Sequence, residues 1–394
     1  MTAAWYRPLL AVGLVAAFFT HIANYGLRFG VPPLYWIVAF AAAAAPVALV
    51  ALARHGLRLE PLVVWAFAYA LLSIVWFVPS SQSALAWQQV QTRLLSAGFL
   101  VLALVIFAEA RARRAARRAI VAATLLAVAL NLYEVVFPQT FSDIPGRATG
   151  LYDNVNQSGA ALVLGLILGQ DALPRRLRLL FALTVGLGLL ATVSRSAILG
   201  WGLVLALGAA RRGHRRRALT AATAVGLAAW LLLLSPWWTG VEQALEERGV
   251  LTANVRERFD VFSSAELGDA STQERRQVAT LAWDSFAEQP VVGGGTGAST
   301  ETPFDLGPHN MYLAMMVDHG VIGLFLLPTL ILAAVWGADP RRAFSVVPFA
   351  LFLAFWGFFS HNVLEERYIL LVVALVAAEM AGLHHGDTPT GVAA

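Results

Sequence analysis

Four stretches of this chain carry residue types suited to a phosphorylated substrate. Guanidinium presents a planar fork of donors to phosphate oxygens and keeps its charge. In Thr192-Val-Ser-Arg195-Ser, Arg195 stands between two apolar runs with almost no loop. An ionisable group at membrane depth is costly and marks function by default; the alternative is an arginine snorkelling to the interface. Arg275 and Arg276 lie just upstream of a glycine-rich turn, Pro290-Val-Val-Gly-Gly-Gly-Thr-Gly297. Arg147-Ala-Thr-Gly-Leu-Tyr-Asp-Asn-Val-Asn156-Gln157 pairs an arginine with a Gly turn and asparagines, and alone reads as a loop.

The fourth stretch is Gly307-Pro-His-Asn-Met-Tyr-Leu313. A neutral imidazole near pH 7 suits the activation of a hydroxyl, so His309 is a candidate general base; the alternative is a histidine bordering a span. The glycine turn could cradle phosphate through backbone N–H groups. It lacks the Gly-Lys-Ser/Thr ending of a P-loop, and it also reads as a hinge bringing the arginine helix and His309 together. No metal site is expected: His309 and His319 align poorly on a helix, and no carboxylate cluster accompanies them. His361, with Asn362, Glu365 and Glu366, forms a second polar patch.

The elements that position these residues are membrane helices. Of 394 residues, 58% are hydrophobic and 13% charged, with mean hydropathy +0.67. A soluble domain carries about 25% charge, so the chain reads as a polytopic membrane protein. All 28 basic residues are arginine, and there is no cysteine, hence no disulfide or thiolate metal site. The first apolar run shows no convincing cleavage site and reads as a retained helix.

Spans of about 20 apolar residues are expected at 8–25, 31–53, 61–79, 93–110, 117–137, 155–173, 177–193, 196–211, 218–236, 309–336, 343–361 and 368–385. Runs this continuous exclude the alternation of a membrane barrel, so the fold class is all-α, with twelve transmembrane helices in one integral membrane domain over 1–394. Arg7, Arg54 and Arg58, the 111–118 cluster, Arg175, Arg176 and Arg178, the 211–217 cluster, and Arg341 and Arg342 recur on every second loop. That side is expected to be cytoplasmic, with both termini on it.

The remaining arginines, Arg28, Arg93, Arg147, Arg195, Arg248, Arg256, Arg258, Arg275, Arg276 and Arg367, are expected outside. The large outer loop, 237–308, is expected to hold two amphipathic helices. One covers 239–262 beside Trp237 and Trp238. The other covers 274–289, opened by a Ser271-Thr-Gln-Glu274 capping box and apolar at Val278, Leu281, Ala282 and Phe286.

Taken in order, these motifs resemble the O-antigen ligase and polymerase superfamily. Arg147-Ala-Thr-Gly-Leu with Asn156 is similar to its outer-loop motif, and Ser194-Arg195 to its Ser-Arg motif. Arg275, Pro290-Val-Val-Gly-Gly-Gly, His309-Asn-Met-Tyr-Leu and Asp318-His-Gly-Val-Ile-Gly323 are similar to its most characteristic block. Two departures are the competing Arg275 and Arg276, and Asp rather than Glu at 318. Arg275 is favoured by its spacing to Pro290.

The resemblance implies a GT-C-like glycosyltransferase of the bacterial inner membrane, active on the periplasmic face without cofactor, metal or nucleotide sugar. The donor would be an undecaprenyl-diphosphate-linked glycan held among membrane lipids, and the acceptor a hydroxyl of lipid A–core. His309 would be the base, and Arg195 with Arg275 (or Arg276) the diphosphate clamp. Arg147 would assist, and Asn156, Ser194, Asn310 and Tyr312 would support. A polymerase would use a second lipid-linked repeat unit as acceptor. A protein O-oligosaccharyltransferase is disfavoured because the chain stops about ten residues after span twelve. Another class, a lipid or polysaccharide transporter, would fit twelve spans, but no paired Gly/Pro-broken spans occur. No nucleic-acid partner is expected.

Overall fold

The computed structural model describes residues 5–55, 60–142, 147–210, 270–301, 307–338 and 345–384, and among them every regular element is helical. The expected span 218–236, the helix at 239–262 with Trp237 and Trp238, and Arg58, the 211–217 cluster, Arg341 and Arg342 lie outside the described residues. Every other expected span has a helix on it.

Among the described residues, four helices are long and apolar enough to cross a membrane: Pro33–Val50, Ala84–Phe107, Ala110–Val136 and Met311–Ala334. A fifth appears if the bent pair Tyr6–Phe19 and Ile22–Phe29 is one span. Others are shorter, such as Pro61–Val75 and Val346–Trp356. Many large apolar side chains face outward, among them Leu34, Phe67, Leu71 and Leu199, as a lipid-facing surface requires.

Contacts divide the chain into two units. One comprises 1–19, 30–119 and 274–394; the other comprises 20–29 and 120–273. Each is built around one helix buried on nearly all sides, as a helix apolar all round must be. In the first unit this is Arg367–His384, whose residues Tyr368–Val376 are at most 1% exposed. In the second it is Val155–Gly169, buried at Val155 and from Gln157 to Gly169. Glycine lets neighbours approach that second helix: a Cβ at Gly165 would lie 2.0 Å from the Thr124 hydroxyl, and one at Gly159 would lie 2.5 Å from Ala197 Cβ.

Two local expectations are corrected. The span expected at 93–110 begins at Ala84, because Ser83 caps the helix, its side chain accepting from Ala86 N–H at 3.1 Å. The glutamines Gln88, Gln89 and Gln91 lower the hydropathy of its first turns and hide its start. Arg93 is therefore internal to a helix and 1% exposed, not on an outer loop. The side chains of Ser271 and Glu274, on which the expected capping box rests, lie outside the described residues, and the helix expected from 274 runs Ala270–Glu288. Its far end agrees with the sequence: the residue before Pro290 is biased away from helical backbone.

Candidate functional site

The second unit gathers three of the sequence motifs at one corner. The Arg175–Thr192 helix ends at Val193, whose φ of 51° puts a β-branched residue in the left-handed region. Such a conformation is a genuine outlier and stores about 1–3 kcal/mol. The next helix starts at Arg195. Arg147, 8% exposed, donates from Nη2 to the Val193 carbonyl at 3.4 Å. Ser194 donates its hydroxyl to Asn156 Oδ1 at 2.8 Å.

Asn154 caps the Val155–Gly169 helix, accepting from Asn156 and Gln157 N–H at 3.0 Å each. Gln157 Oε1 accepts from Asp153 N–H at 3.2 Å in return. A half-buried arginine at the first position of a helix, as Arg195 is, opposes the helix dipole. An anion there would meet guanidinium and helix amides together.

Two residues of this unit that sequence reasoning missed build the corner. Glu134, 3% exposed, accepts from Phe141 N–H at 3.0 Å, Thr149 N–H at 2.8 Å and Gly150 N–H at 3.1 Å, and also from Ser142 N–H. One carboxylate thus shapes the loop that carries Arg147. The signal available was a glutamate inside an otherwise apolar run, with Asn131 three residues before it. His21, 2% exposed, bonds Asp153 Oδ2 at 2.9 Å and stacks on Tyr152. Burial pushes the Asp153 carboxyl up, but the His21 hydrogen bond and charge outweigh it and hold it below its usual value.

In the first unit the glycine turn is already occupied by an anion, the carboxylate of Asp318. Asp318 Oδ1 accepts from Ser299 N–H at 2.7 Å and Oδ2 from Gly297 N–H at 3.3 Å. Gly294 and Gly295 N–H donate to the carbonyls of Val317 and Asp318 at 2.8 and 3.0 Å. The turn also bonds the end of the Pro61–Val75 helix, with Thr296 N–H on the Trp76 carbonyl at 2.9 Å.

Positive φ at Gly293 (74°), Gly295 (92°) and Gly297 (96°) makes the path possible. A Cβ at Gly295 would sit 2.4 Å from Ser80 Cα. Asp318 in turn pairs with buried Arg93, whose Nη1 lies 2.7 Å from His319 Nε2. The turn docks at the C-terminal end of the nine-residue Met311–His319 helix. His309 precedes the other end, about 14 Å away at 1.5 Å per residue. The turn therefore anchors that helix from the end opposite His309, and is neither a phosphate cradle nor a hinge beside the histidine.

His309 itself has φ 49° and is half-buried. Asn310 caps the helix, accepting from Tyr312 and Leu313 N–H at 3.0 and 3.2 Å. Tyr312 donates its hydroxyl to the Ala354 carbonyl at 2.9 Å. His361 packs edge-on to His309, with ring centroids 5.5 Å apart at 69°. Burial, with the His309 charge second, pushes His361 down to about 4.

On the Ala270–Glu288 helix, Ala282 and Val278 pack against Val317, Ala298 and Leu313, while Leu281 is 44% exposed. Arg275 shares the packed face at helical spacing and is half-buried; Arg276 is exposed.

Fold and site together define an all-helical, multi-pass membrane protein with an arginine corner in one unit and a histidine turn in the other. Residues 179–327 match the family model described as O-antigen ligase. The matched stretch holds Ser194, Arg195, Arg275, Arg276, His309, Asn310 and Tyr312, and leaves Arg147 and Asn156 outside. Members of that family are glycosyltransferase-like enzymes of lipopolysaccharide biosynthesis. No curated protein matches the chain.

Proposed function

We propose that the protein transfers a glycan from undecaprenyl diphosphate to a hydroxyl of lipid A–core at the periplasmic face of the bacterial inner membrane. The observation that carries this reading is the O-antigen ligase match over 179–327, which contains both Ser194-Arg195 and His309. The acceptor hydroxyl oxygen attacks the anomeric carbon, its proton passes to a ring nitrogen of His309, and the bond from that carbon to the diphosphate oxygen breaks. Direct attack inverts the anomeric centre. Negative charge grows on the leaving diphosphate, and fixed cations aimed at growing charge are the largest common catalytic term.

Arg195 and Arg275 take the clamp role, with Arg147 assisting. Arg275 is preferred to Arg276 because it lies on the packed face of its helix. Asn156 and Ser194 hold the corner, and Asn310 and Tyr312 hold the helix that follows His309.

A polymerase is the second reading, because the family match covers ligases and polymerases alike. Purified protein is incubated with a lipid-linked repeat unit, with and without lipid A–core. Joined product that forms only with lipid A–core supports the ligase. Chain growth on lipid-linked units alone overturns it in favour of the polymerase.

A further inference from the structure

The turn Gly307-Pro308-His309 takes left-handed backbone twice: at Gly307 (φ 65°), which glycine adopts freely, and at His309 (φ 49°), where it is strained. Left-handed backbone at a non-glycine residue persists only where its surroundings hold it. The segment 354–361 packs against this turn and the helix start that follows it. Met311 N–H donates to the Gly357 carbonyl at 2.7 Å, and Phe358 packs on Tyr312 with centroids 4.7 Å apart. His361 completes the series. A Cβ at Gly307 would lie 2.7 Å from His361 Nε2, so only a glycine lets this ring in. The ring also meets His309 edge-to-face, with planes 69° apart, a favoured arrangement for aromatic pairs.

We propose that His361 is a positioning residue for His309, fixing the orientation of its imidazole by edge-to-face packing at the Gly307–His309 turn. This role rests on His309 being the base proposed above. A ring held in one orientation keeps its nitrogen aimed at the incoming hydroxyl, and small misplacements of a reacting group lower rates steeply. The titratable group acting on His361 is His309. At neutral pH the buried His361 ring carries no charge and does not repel the proton His309 accepts.

The test compares His361→Ala and His361→Phe in detergent-purified full-length protein. Two readouts are taken: steady-state transfer, and the rate at which diethylpyrocarbonate modifies His309, followed on the His309 peptide by mass spectrometry. His361→Ala is expected to lower kcat about tenfold at unchanged KM for the lipid-linked donor. It is also expected to speed labelling of His309 several-fold. His361→Phe, which keeps an aromatic ring, is expected to recover most of kcat and the slow labelling. If the alanine variant is not recovered in the membrane fraction, His361→Gln is read in its place, with the same expectation. Unchanged labelling of His309 once the ring is removed overturns the positioning role, whatever turnover does. Full turnover in His309→Ala overturns the base assignment instead and leaves the labelling comparison standing.

Discussion

The glycine turn of the first unit and the Arg147 loop of the second are both gathered by one buried carboxylate, but the two carboxylates are neutralised differently. Asp318 takes two N–H groups of its turn and also a buried arginine, Arg93. Glu134 takes four N–H groups of its loop. The first arrangement locks a turn to two helices through a full ion pair. The second commits the whole carboxylate to loop backbone, which leaves the loop's own arginine to reach the strained Val193 corner. Arg93 serves architecture as the partner of a buried carboxylate inside a helix, whereas Arg195 opens a helix and Arg147 reaches a backbone carbonyl from a loop.

The largest expected effect follows from that contrast. Removing one partner of a buried pair leaves an uncompensated charge and is destabilising by about 3–5 kcal/mol. Asp318→Ala should therefore lower the unfolding midpoint in detergent more than either Glu134→Gln or Ser194→Ala. Arg93→Met combined with Asp318→Leu should recover part of the loss; a double variant as unstable as the sum of the singles would break the ion-pair account.

Glu134→Gln should come next, at about 2–3 kcal/mol, because an amide cannot accept four N–H groups with the strength of a charged carboxylate. Stability near wild type would remove Glu134 as the organiser of the Arg147 loop. Ser194→Ala, which deletes one hydrogen bond to Asn156, should destabilise by only about 0.5–1.5 kcal/mol. It should weaken donor binding more than folding, which a donor KM beside a melting curve will reveal.

Acid should separate the two units last and most gently. His361 is depressed from 6.5 to about 4, so its contribution is present above pH 6.5 and is lost as pH falls from there towards 4. Asp153 is held below its ordinary 3.8, so its contribution survives until pH falls below that value. Hydrogen exchange between pH 7 and pH 4.5 should loosen the 307–312 and 357–361 segments before the 150–157 loop. The opposite order would contradict both assignments.

Much of this was legible in the sequence because it is local. Apolar runs of span length mark helices whatever they pack against. Pro290 announces a helix end by its own chemistry, whereas the sequence reading starts the following span at His309 and does not name Asn310 as its cap. Arg195 stood out because only Thr192, Ser194 and Ser196 accompany it between two long apolar runs.

What stayed hidden depends on partners far along the chain. Arg93 and Asp318 are 225 residues apart, and no local pattern says that an arginine near a span end will be internal. The glycine turn showed free N–H groups but not the carboxylate that fills them. The same blindness applied to His361: its position near the end of a span was visible, while its 5.5 Å contact with His309 arises only from how two helices close.

Transfer by His309→Ala compared with wild type, in purified protein given an undecaprenyl-diphosphate glycan and lipid A–core, bears most directly on the mechanism. Wild type should form joined product. The variant, inserted and melting near the wild-type midpoint, should form less than about a hundredth as much, the usual scale of a lost general base. Product formation by His309→Ala at the wild-type rate would contradict the assignment of His309 as the base.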